Sequence, residues 1–126
     1  MTAHSIVAAA IAADVSAGTV PALRVTKSAR QGDVTLRRVG DAAPTCAGVP
    51  AGGLVLAAGE HGEHRLLAVR ARLLDGEVLD LPGGGVVVHT DTPDCRHEAL
   101  RLTPGRWRIG HLRELDLDES IVRVRD

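Results

Sequence analysis

Short apolar runs separated by turn-forming residues dominate the chain from Val34 onward. Within the runs apolar and polar positions tend to alternate, and glycine, proline and aspartate separate one run from the next. This pattern is typical of half-buried strands joined by tight turns. It predicts a mainly β fold, a small antiparallel barrel or sandwich of about eight short strands with an N-terminal helix. The predicted strands are Asp33–Val39, Gly53–Ala57, His64–Leu74, Glu77–Leu81, Gly85–His89, Glu98–Leu102, Arg106–Leu112 and Ile121–Arg125.

Three local patterns within this segment are specific enough to be tested. The strand His64–Leu74 should bury one face, because every second position is apolar. The dipeptide Asp75-Gly76 accepts the positive φ angles of a tight hairpin turn, so the strands on either side should pair antiparallel. Trp107 lies between two arginines and is expected to be the largest core side chain. The alternating apolar positions of the first pattern are Leu67, Val69, Ala71 and Leu73.

The N-terminal segment has helical rather than strand periodicity. Ser5–Ala17 is rich in alanine, begins with a residue suited to an N-cap and ends before Gly18, which predicts a short helix. Val7, Ile11 and Val15 repeat every four residues on one side of it. We expect this stripe to dock on the domain's own sheet; the alternative is attachment to a protein partner or to a second copy of the chain. The predicted organisation is a helix and linker over residues 1–29 and a single β domain over residues 30–126.

Length and composition favour one domain with an aliphatic core. The chain has 126 residues, of which 44% are apolar, but it contains one tryptophan and no tyrosine or phenylalanine. A chain of this size can bury a single core without disulfides or metals. The shortage of aromatic side chains removes the stacking surfaces that single-stranded nucleic-acid binders use. We therefore expect no nucleic-acid partner.

Charge and cysteine content indicate which partners and which cellular compartment to expect. Fifteen basic residues oppose sixteen acidic ones, so the formal net charge is -1, and no overall field would attract phosphates or anionic lipid. No apolar run is long enough to cross a bilayer, and we expect no membrane association. Cys46 and Cys95 lie far apart outside any C-x-x-C pattern, which favours free thiols and a cytoplasmic location. Lys27 is the only lysine among the basic residues, a bias that fits either arginine-rich interfaces or coding bias.

The middle of the chain holds the candidate chemistry. Glu60, Glu63 and His64 fall in the predicted turn before the long strand, His89 ends a strand, and His97 follows the next loop. If these strand ends meet on one rim, three imidazoles and a carboxylate would suit Zn²⁺ or Fe²⁺. Three interpretations stay open: a bound divalent metal, a metal-free polar pocket, and structural or exposed histidines with no bound cofactor. No spacing here matches a diagnostic metal motif.

Several segments resemble a family of small, uncharacterised bacterial proteins. The resemblance runs from about Arg30 to the end, and its family pattern includes R-Q-G-D-V, G-E-x-x-G-H-x-H and P-G-[YW]. It implies a recurring polar cluster without an assigned role. The present chain has one histidine fewer in the second motif. The matching segments are Arg30-Gln31-Gly32-Asp33-Val34, Gly59-Glu60, Val88-His89, Leu102-Thr103-Pro104-Gly105-Arg106-Trp107-Arg108 and Arg113-Glu114.

Two hypotheses about function follow from these patterns. The first is a non-enzymatic accessory or binding module that recognises a protein partner, or assembles with itself, through the helix and an arginine-rich sheet face. It is favoured because no complete catalytic constellation is visible. The second is a cupin-like or other metal-dependent enzyme that uses the His/Glu cluster. Whether the protein is an enzyme is thus left open by the sequence.

Overall fold

The computed structural model describes residues 3–16, 18, 21–44, 47–59, 62–90 and 98–111. Within these residues the chain forms one helix and ten strands. They are α1 (Ala3–Ser16), β1 (Ala22–Val25), β2 (Ser28–Gln31), β3 (Val34–Gly40), β4 (Leu54–Gly59), β5 (Gly62–Leu67), β6 (Arg72–Leu74), β7 (Val78–Leu81), β8 (Gly85–His89), β9 (Ala99–Leu102) and β10 (Gly105–His111). No helix in this part of the chain has the length and apolar character needed to cross a membrane.

The strands form two five-stranded sheets. Sheet A has the order β1-β9-β8-β5-β4, and sheet B has the order β2-β3-β10-β7-β6. β1 and β9 run parallel, whereas the other paired strands run antiparallel. One core cluster joins Leu66 and Val87 of sheet A to Leu79 and Trp107 of sheet B. The mainly β prediction is confirmed, and the sheets pack as a sandwich without closing into a barrel.

The strand predicted over His64–Leu74 is wrong as a single element. β5 lies in sheet A and β6 in sheet B, so the chain crosses between the sheets over residues 68–71. Val69, which was expected to be buried, is 87% exposed in this crossing. Leu67 packs towards α1, but Leu73 packs into the core between the sheets. A two-residue repeat of apolar positions indicates extended chain with alternating faces, but it does not show that this chain stays in one sheet.

Two strands near the N-terminus were missed by the pattern. β1 and β2 have four residues each, and in each of them only the last residue is fully buried. They lie at the edges of sheets A and B, respectively. Such short, mostly exposed segments carry too little apolar alternation to be recognised. The predicted domain boundary at residue 30 falls inside β2, and the predicted strand Ile121–Arg125 lies outside the described residues.

The helix packs on the outer face of sheet A. It begins at Ala3, two residues before the predicted start, and contacts β5 and β8. Ala8 and Val15 are buried in a second apolar cluster with Val88 and Ala99. Docking on the domain's own sheet is therefore confirmed. Ala8 is buried in place of Val7, so the docked stripe departs from the expected one at Val7 and keeps Ile11 and Val15.

The predicted hairpin turn and core anchor are also confirmed. Asp75 has a φ of 53° and Gly76 a φ of 70°, and the Glu77 N–H donates to the Leu74 carbonyl over 3.0 Å. This turn joins β6 and β7 as an antiparallel pair. Trp107 is fully buried, and its indole N–H donates to the Thr103 carbonyl over 3.0 Å.

Candidate functional site

A buried polar cluster lies where one end of sheet B meets sheet A. Gln31 ends β2 and Asp33 lies in the turn that follows it. Both contact His64 near the start of β5, and the His64 ring contacts His89 at the end of β8. We call these four residues the rim cluster. Three of them are buried, and Asp33 is exposed. The cluster combines candidate histidines from the sequence with two residues that the sequence did not indicate as site residues.

The two histidines of the rim cluster face each other across neighbouring strands. His64 and His89 are register partners in the antiparallel pairing of β5 and β8. Their ring centroids are 4.3 Å apart, with an angle of 64° between the ring planes. Because His64 follows the same alternation as Leu66, and His89 the same as Val87, both rings lie on the inner face of sheet A.

Gln31 fixes the orientation of the His64 ring. Its amide nitrogen donates to the Val87 carbonyl over 3.1 Å and to the Glu98 carbonyl over 2.9 Å. Both amide hydrogens are thereby used, and the amide oxygen lies 2.8 Å from Nδ1 of His64. An amide oxygen can only accept, so the hydrogen-bond network assigns a proton to Nδ1. Gln31 also links sheet B directly to sheet A.

The other ring nitrogen of His64 then faces a carboxylate. Nε2 is 3.3 Å from Oδ1 of Asp33. If the ring is neutral and carries its proton on Nδ1, both atoms of this contact are hydrogen-bond acceptors. The contact becomes attractive when Nε2 is protonated or when a cation lies between the two atoms. An imidazole nitrogen and a carboxylate oxygen at this distance are also two of the ligand types that bind divalent metals.

The structure separates Glu63 from the two other described candidate ligands, His64 and His89. Glu63 precedes His64 on β5, so its side chain leaves the opposite face of the strand, where its carboxylate accepts from Nε of Arg65 over 2.6 Å. Glu60 and His97 lie outside the described residues. Among the residues that are described, no three histidine, cysteine, aspartate or glutamate side chains come together in a way that could hold a metal.

Arg65 has a structural role beneath the helix. Its guanidinium donates to Oγ of Ser5 and to the Gly52 carbonyl, each over 3.0 Å, in addition to its contact with Glu63. The Arg65 side chain is buried. It therefore joins the first turn of α1, the loop before β4 and strand β5. Burial of a cation is acceptable here because three acceptors satisfy it.

The helix residues predicted to bind a partner do not share one exposed surface. Val15 is 5% exposed within the cluster between α1 and sheet A, and Ile11 packs against the same cluster. Val7 is 39% exposed. Much of the stripe is thus used to hold α1 on its own sheet, which leaves Val7 as its accessible member.

The outer face of sheet B is rich in arginine. Neighbouring residues in these strands, such as Ala29, Leu36, Leu73 and Trp107, face the core, so the residues between them face outward. We call this surface the arginine face. It consists of Arg30 on β2, Arg37 on β3, Arg72 on β6, and Arg106 and Arg108 on β10.

Two of these arginines are held opposite each other without a counter-charge. Arg37 and Arg108 are register partners on β3 and β10, and both are exposed. In the part of the chain that the structure describes, no carboxylate lies within ion-pair distance of either side chain. Like charges placed directly opposite each other on a sheet are unfavourable. An acidic group bound from outside would relieve this repulsion.

One aspartate is buried within the arginine face. Asp80 is opposite Arg106 on one side and Arg72 on the other, and its two oxygens accept from Arg106 over 2.8 and 3.1 Å. The hydrogen bond from Arg106 is the main reason why the pKa of the Asp80 carboxyl lies below its ordinary value, although burial opposes this shift. Asp80 is fully occupied by these contacts and cannot neutralise Arg37 or Arg108.

The residues that sequence reasoning missed have only weak signals. Gln31 ends β2 and Asp33 lies in the turn after it, and neither the strand nor the turn was predicted, because β2 is so short. The R-x-R spacing of Arg106 and Arg108 indicated an outward-facing pair on one strand. It gave no information about Arg37, because that contact depends on which strand pairs with β10.

The fold and these faces define a small β-sandwich domain with a buried rim cluster and a basic sheet face. The sequence model of a protein family, described as a domain of unknown function (DUF8820), matches residues 30–111. Since this match covers more than half of the chain, the protein belongs to that family. The matched range contains the rim cluster and the arginine face. No curated protein and no solved structure matches the chain significantly.

Proposed function

We propose that the protein is a non-enzymatic binding module that recognises an acidic surface of a protein partner through its arginine face. The observation that carries this proposal is the imbalance of charge on the outer face of sheet B. Five arginines oppose one aspartate, which is buried and already bound to Arg106. Arginine forms planar, bidentate contacts with carboxylates, and it is frequent at protein interfaces.

The chemistry of the arginine face favours a protein partner over a nucleic acid and over a second copy of the chain. The one tryptophan is buried, so the face has no aromatic side chain on which bases would stack. Two copies of the chain meeting through this face would bring like charges together, which disfavours self-association at this surface. The proposed module needs no cofactor, and we propose a cytoplasmic location for it.

The first test is charge reversal at the opposed arginines. A fluorescently labelled peptide of alternating Asp and Glu residues is titrated with the protein, and its anisotropy is measured. We expect Arg37→Glu/Arg108→Glu to weaken binding by at least about tenfold, because two favourable charge pairs become repulsive. The affinity of the wild type should fall as salt is added, but binding should persist at physiological ionic strength.

A matched variant distinguishes the effect of the arginine face on affinity from the effect of the protein's net charge. Arg24→Glu/Arg101→Glu changes the net charge by the same amount on sheet A, and it should lower peptide affinity much less than Arg37→Glu/Arg108→Glu does. Equal losses in the two variants would mean that only net charge matters and would contradict the proposal. Tighter binding of a DNA duplex than of the peptide would also contradict it, in favour of a nucleic-acid partner.

The rim cluster supports a second candidate function, a metal-dependent enzyme of the cupin-like or a related type. The observation that favours it is the 3.3 Å contact between Nε2 of His64 and Oδ1 of Asp33, an imidazole nitrogen and a carboxylate oxygen of the types that bind divalent metals. His89 lies beside this position. In that case the protein would hold Zn²⁺ or Fe²⁺, with further ligands expected from Glu60 and His97.

Elemental analysis tests this second candidate. Untagged protein is analysed for Zn and Fe by inductively coupled plasma mass spectrometry, next to His64→Gln and Glu63→Gln variants. A metal site at the rim predicts near-stoichiometric metal that is lost in His64→Gln and retained in Glu63→Gln, because Glu63 lies on the opposite face of β5. Metal-free wild-type protein, or equal metal in both variants, would reject the candidate.

A further inference from the structure

A second basic site lies on the other sheet, away from the arginine face. A cleft of about 770 Å³ opens between the β7–β8 turn, the crossing after β5 and the end of β9. We call it the arginine cleft and define it by Arg24, Arg70 and Arg101 with the apolar residues Leu67, Ala68 and Val86. Its volume falls in the range of roughly 300–1,000 Å³ that is typical of small-molecule sites.

The cations of the cleft and its apolar part lie in one row across sheet A. Arg24 of β1 is the register partner of Arg101 of β9. Arg101 is opposite Val86 of β8, and Val86 is opposite Leu67 of β5. Residues that are register partners share a face. The row therefore runs from two guanidinium groups at the edge of the sheet to two aliphatic side chains nearer its centre.

The guanidinium groups of the cleft have no carboxylate partner. None of the residues that line the cleft is an aspartate or a glutamate, and across the described ranges no ion pair involves Arg24, Arg70 or Arg101. All three are exposed. Arg24 and Arg101 stand directly opposite each other, an unfavourable pair of like charges that an anion between them would relieve.

We infer that the arginine cleft binds a small amphiphilic anion, a molecule that carries a phosphate or carboxylate group next to an apolar group. The anionic group lies between Arg24 and Arg101, where two planar guanidinium groups match its oxygens. The apolar part covers Leu67 and Val86, the partly buried end of the row. This site is independent of the proposed protein-binding function, because it lies on the other sheet.

The probe for the first experiment is octyl phosphate below its micelle concentration, added to ¹⁵N-labelled protein and followed by ¹H–¹⁵N correlation spectra. We expect saturable shifts of the amides of Gly83–Val86 and Arg101. Octanoate carries a carboxylate in place of the phosphate, so comparing its affinity with that of octyl phosphate shows which anionic group the cleft binds. Inorganic phosphate should bind more weakly, and octyl glucoside, which has the same chain without charge, should not shift these amides.

Paired variants assign the binding to the cleft. Arg24→Gln/Arg101→Gln should raise the dissociation constant for octyl phosphate at least about tenfold, since two charge-assisted contacts are lost. Arg37→Gln/Arg108→Gln removes the same charge from sheet B and should leave it within about twofold. Unchanged affinity in the first pair, equal shifts with octyl glucoside, or shifts centred on the arginine face would each overturn the inference. The melting temperature of the first pair should not fall, so a loss of binding would not reflect unfolding.

Discussion

Replacing Gln31 by leucine is expected to lower the free energy of unfolding by about 2–4 kcal/mol. Leucine fills a similar volume, so the loss comes from hydrogen bonds rather than from a cavity. The substitution removes the two bonds to the Val87 and Glu98 carbonyls and the bond to His64. Each is worth roughly 1 kcal/mol net, and more when its former partner stays buried without a replacement. Urea unfolding followed by the fluorescence of the buried Trp107 measures the change.

The neighbouring residue on the same strand supplies the control for Gln31. Arg30 is exposed on the arginine face, and its side chain makes a short local contact with the Gly32 carbonyl. Arg30→Leu should therefore have little effect on stability. A loss below about 0.5 kcal/mol in Gln31→Leu, or equal losses in both variants, would show that Gln31 does not hold the two sheets together.

Asp80→Asn is the second substitution with a large expected effect, and its effect depends on pH. Asparagine keeps the shape of Asp80 but loses the charged, two-oxygen contact with Arg106. A hydrogen bond to a charged group is worth about 1.5–3 kcal/mol, and we expect a destabilisation of this order at pH 7. Arg106 holds the pKa of Asp80 below the ordinary value of 3.8. The wild type should therefore lose this contribution only as the pH falls below about 4.

The direction of the pH dependence follows from the lowered pKa. Well above pH 4 the carboxyl is ionised in both the folded and the unfolded chain, and the full stabilisation is present. In more acid solution the unfolded chain takes up the proton first, so the difference between wild type and Asp80→Asn should shrink towards zero. Stability curves from pH 2 to 7 measure it, and a difference that stays constant over this range would contradict the explanation.

A second aspartate provides the matched control for Asp80. Asp41 makes a single contact with Arg38, and its side chain is 98% exposed. Ion pairs of this kind contribute little, because solvent and salt screen them. Asp41→Asn should leave stability nearly unchanged at every pH, although the chemical change is the same. The comparison separates the effect of burial from the effect of removing one negative charge.

Much of the fold could be predicted from the sequence, because turn chemistry and side-chain size act locally. The Asp75-Gly76 turn has local chemistry that demands positive φ, and Trp107 is the only large ring available to fill the core. The crossing at Val69 could not be predicted, because its β-branched side chain and alternating neighbours fit a continuous strand equally well. Where the chain changes sheet is decided by packing between distant elements.

The candidate sites were less predictable, since they depend on register. His64 and His89 were recognised as histidines at strand ends, and pairing between β5 and β8 brings their rings together. Gln31 lies 33 positions before His64 in the chain, and no local pattern links the two. The same limit applies to Arg37 with Arg108 and to Arg24 with Arg101, which become neighbours only through strand pairing.

The measurement that tests the proposed function most directly is a residue-level map of where an acidic peptide binds. Backbone amides of ¹⁵N-labelled protein are followed while an unlabelled peptide of Asp and Glu residues is added at physiological ionic strength. We predict saturable shifts along β3 and β10 that are largest at Arg37 and Arg108, and clearly smaller shifts at Arg101. Shifts confined to the rim cluster or to sheet A, or no saturable shift at all, would contradict recognition of an acidic partner through the arginine face.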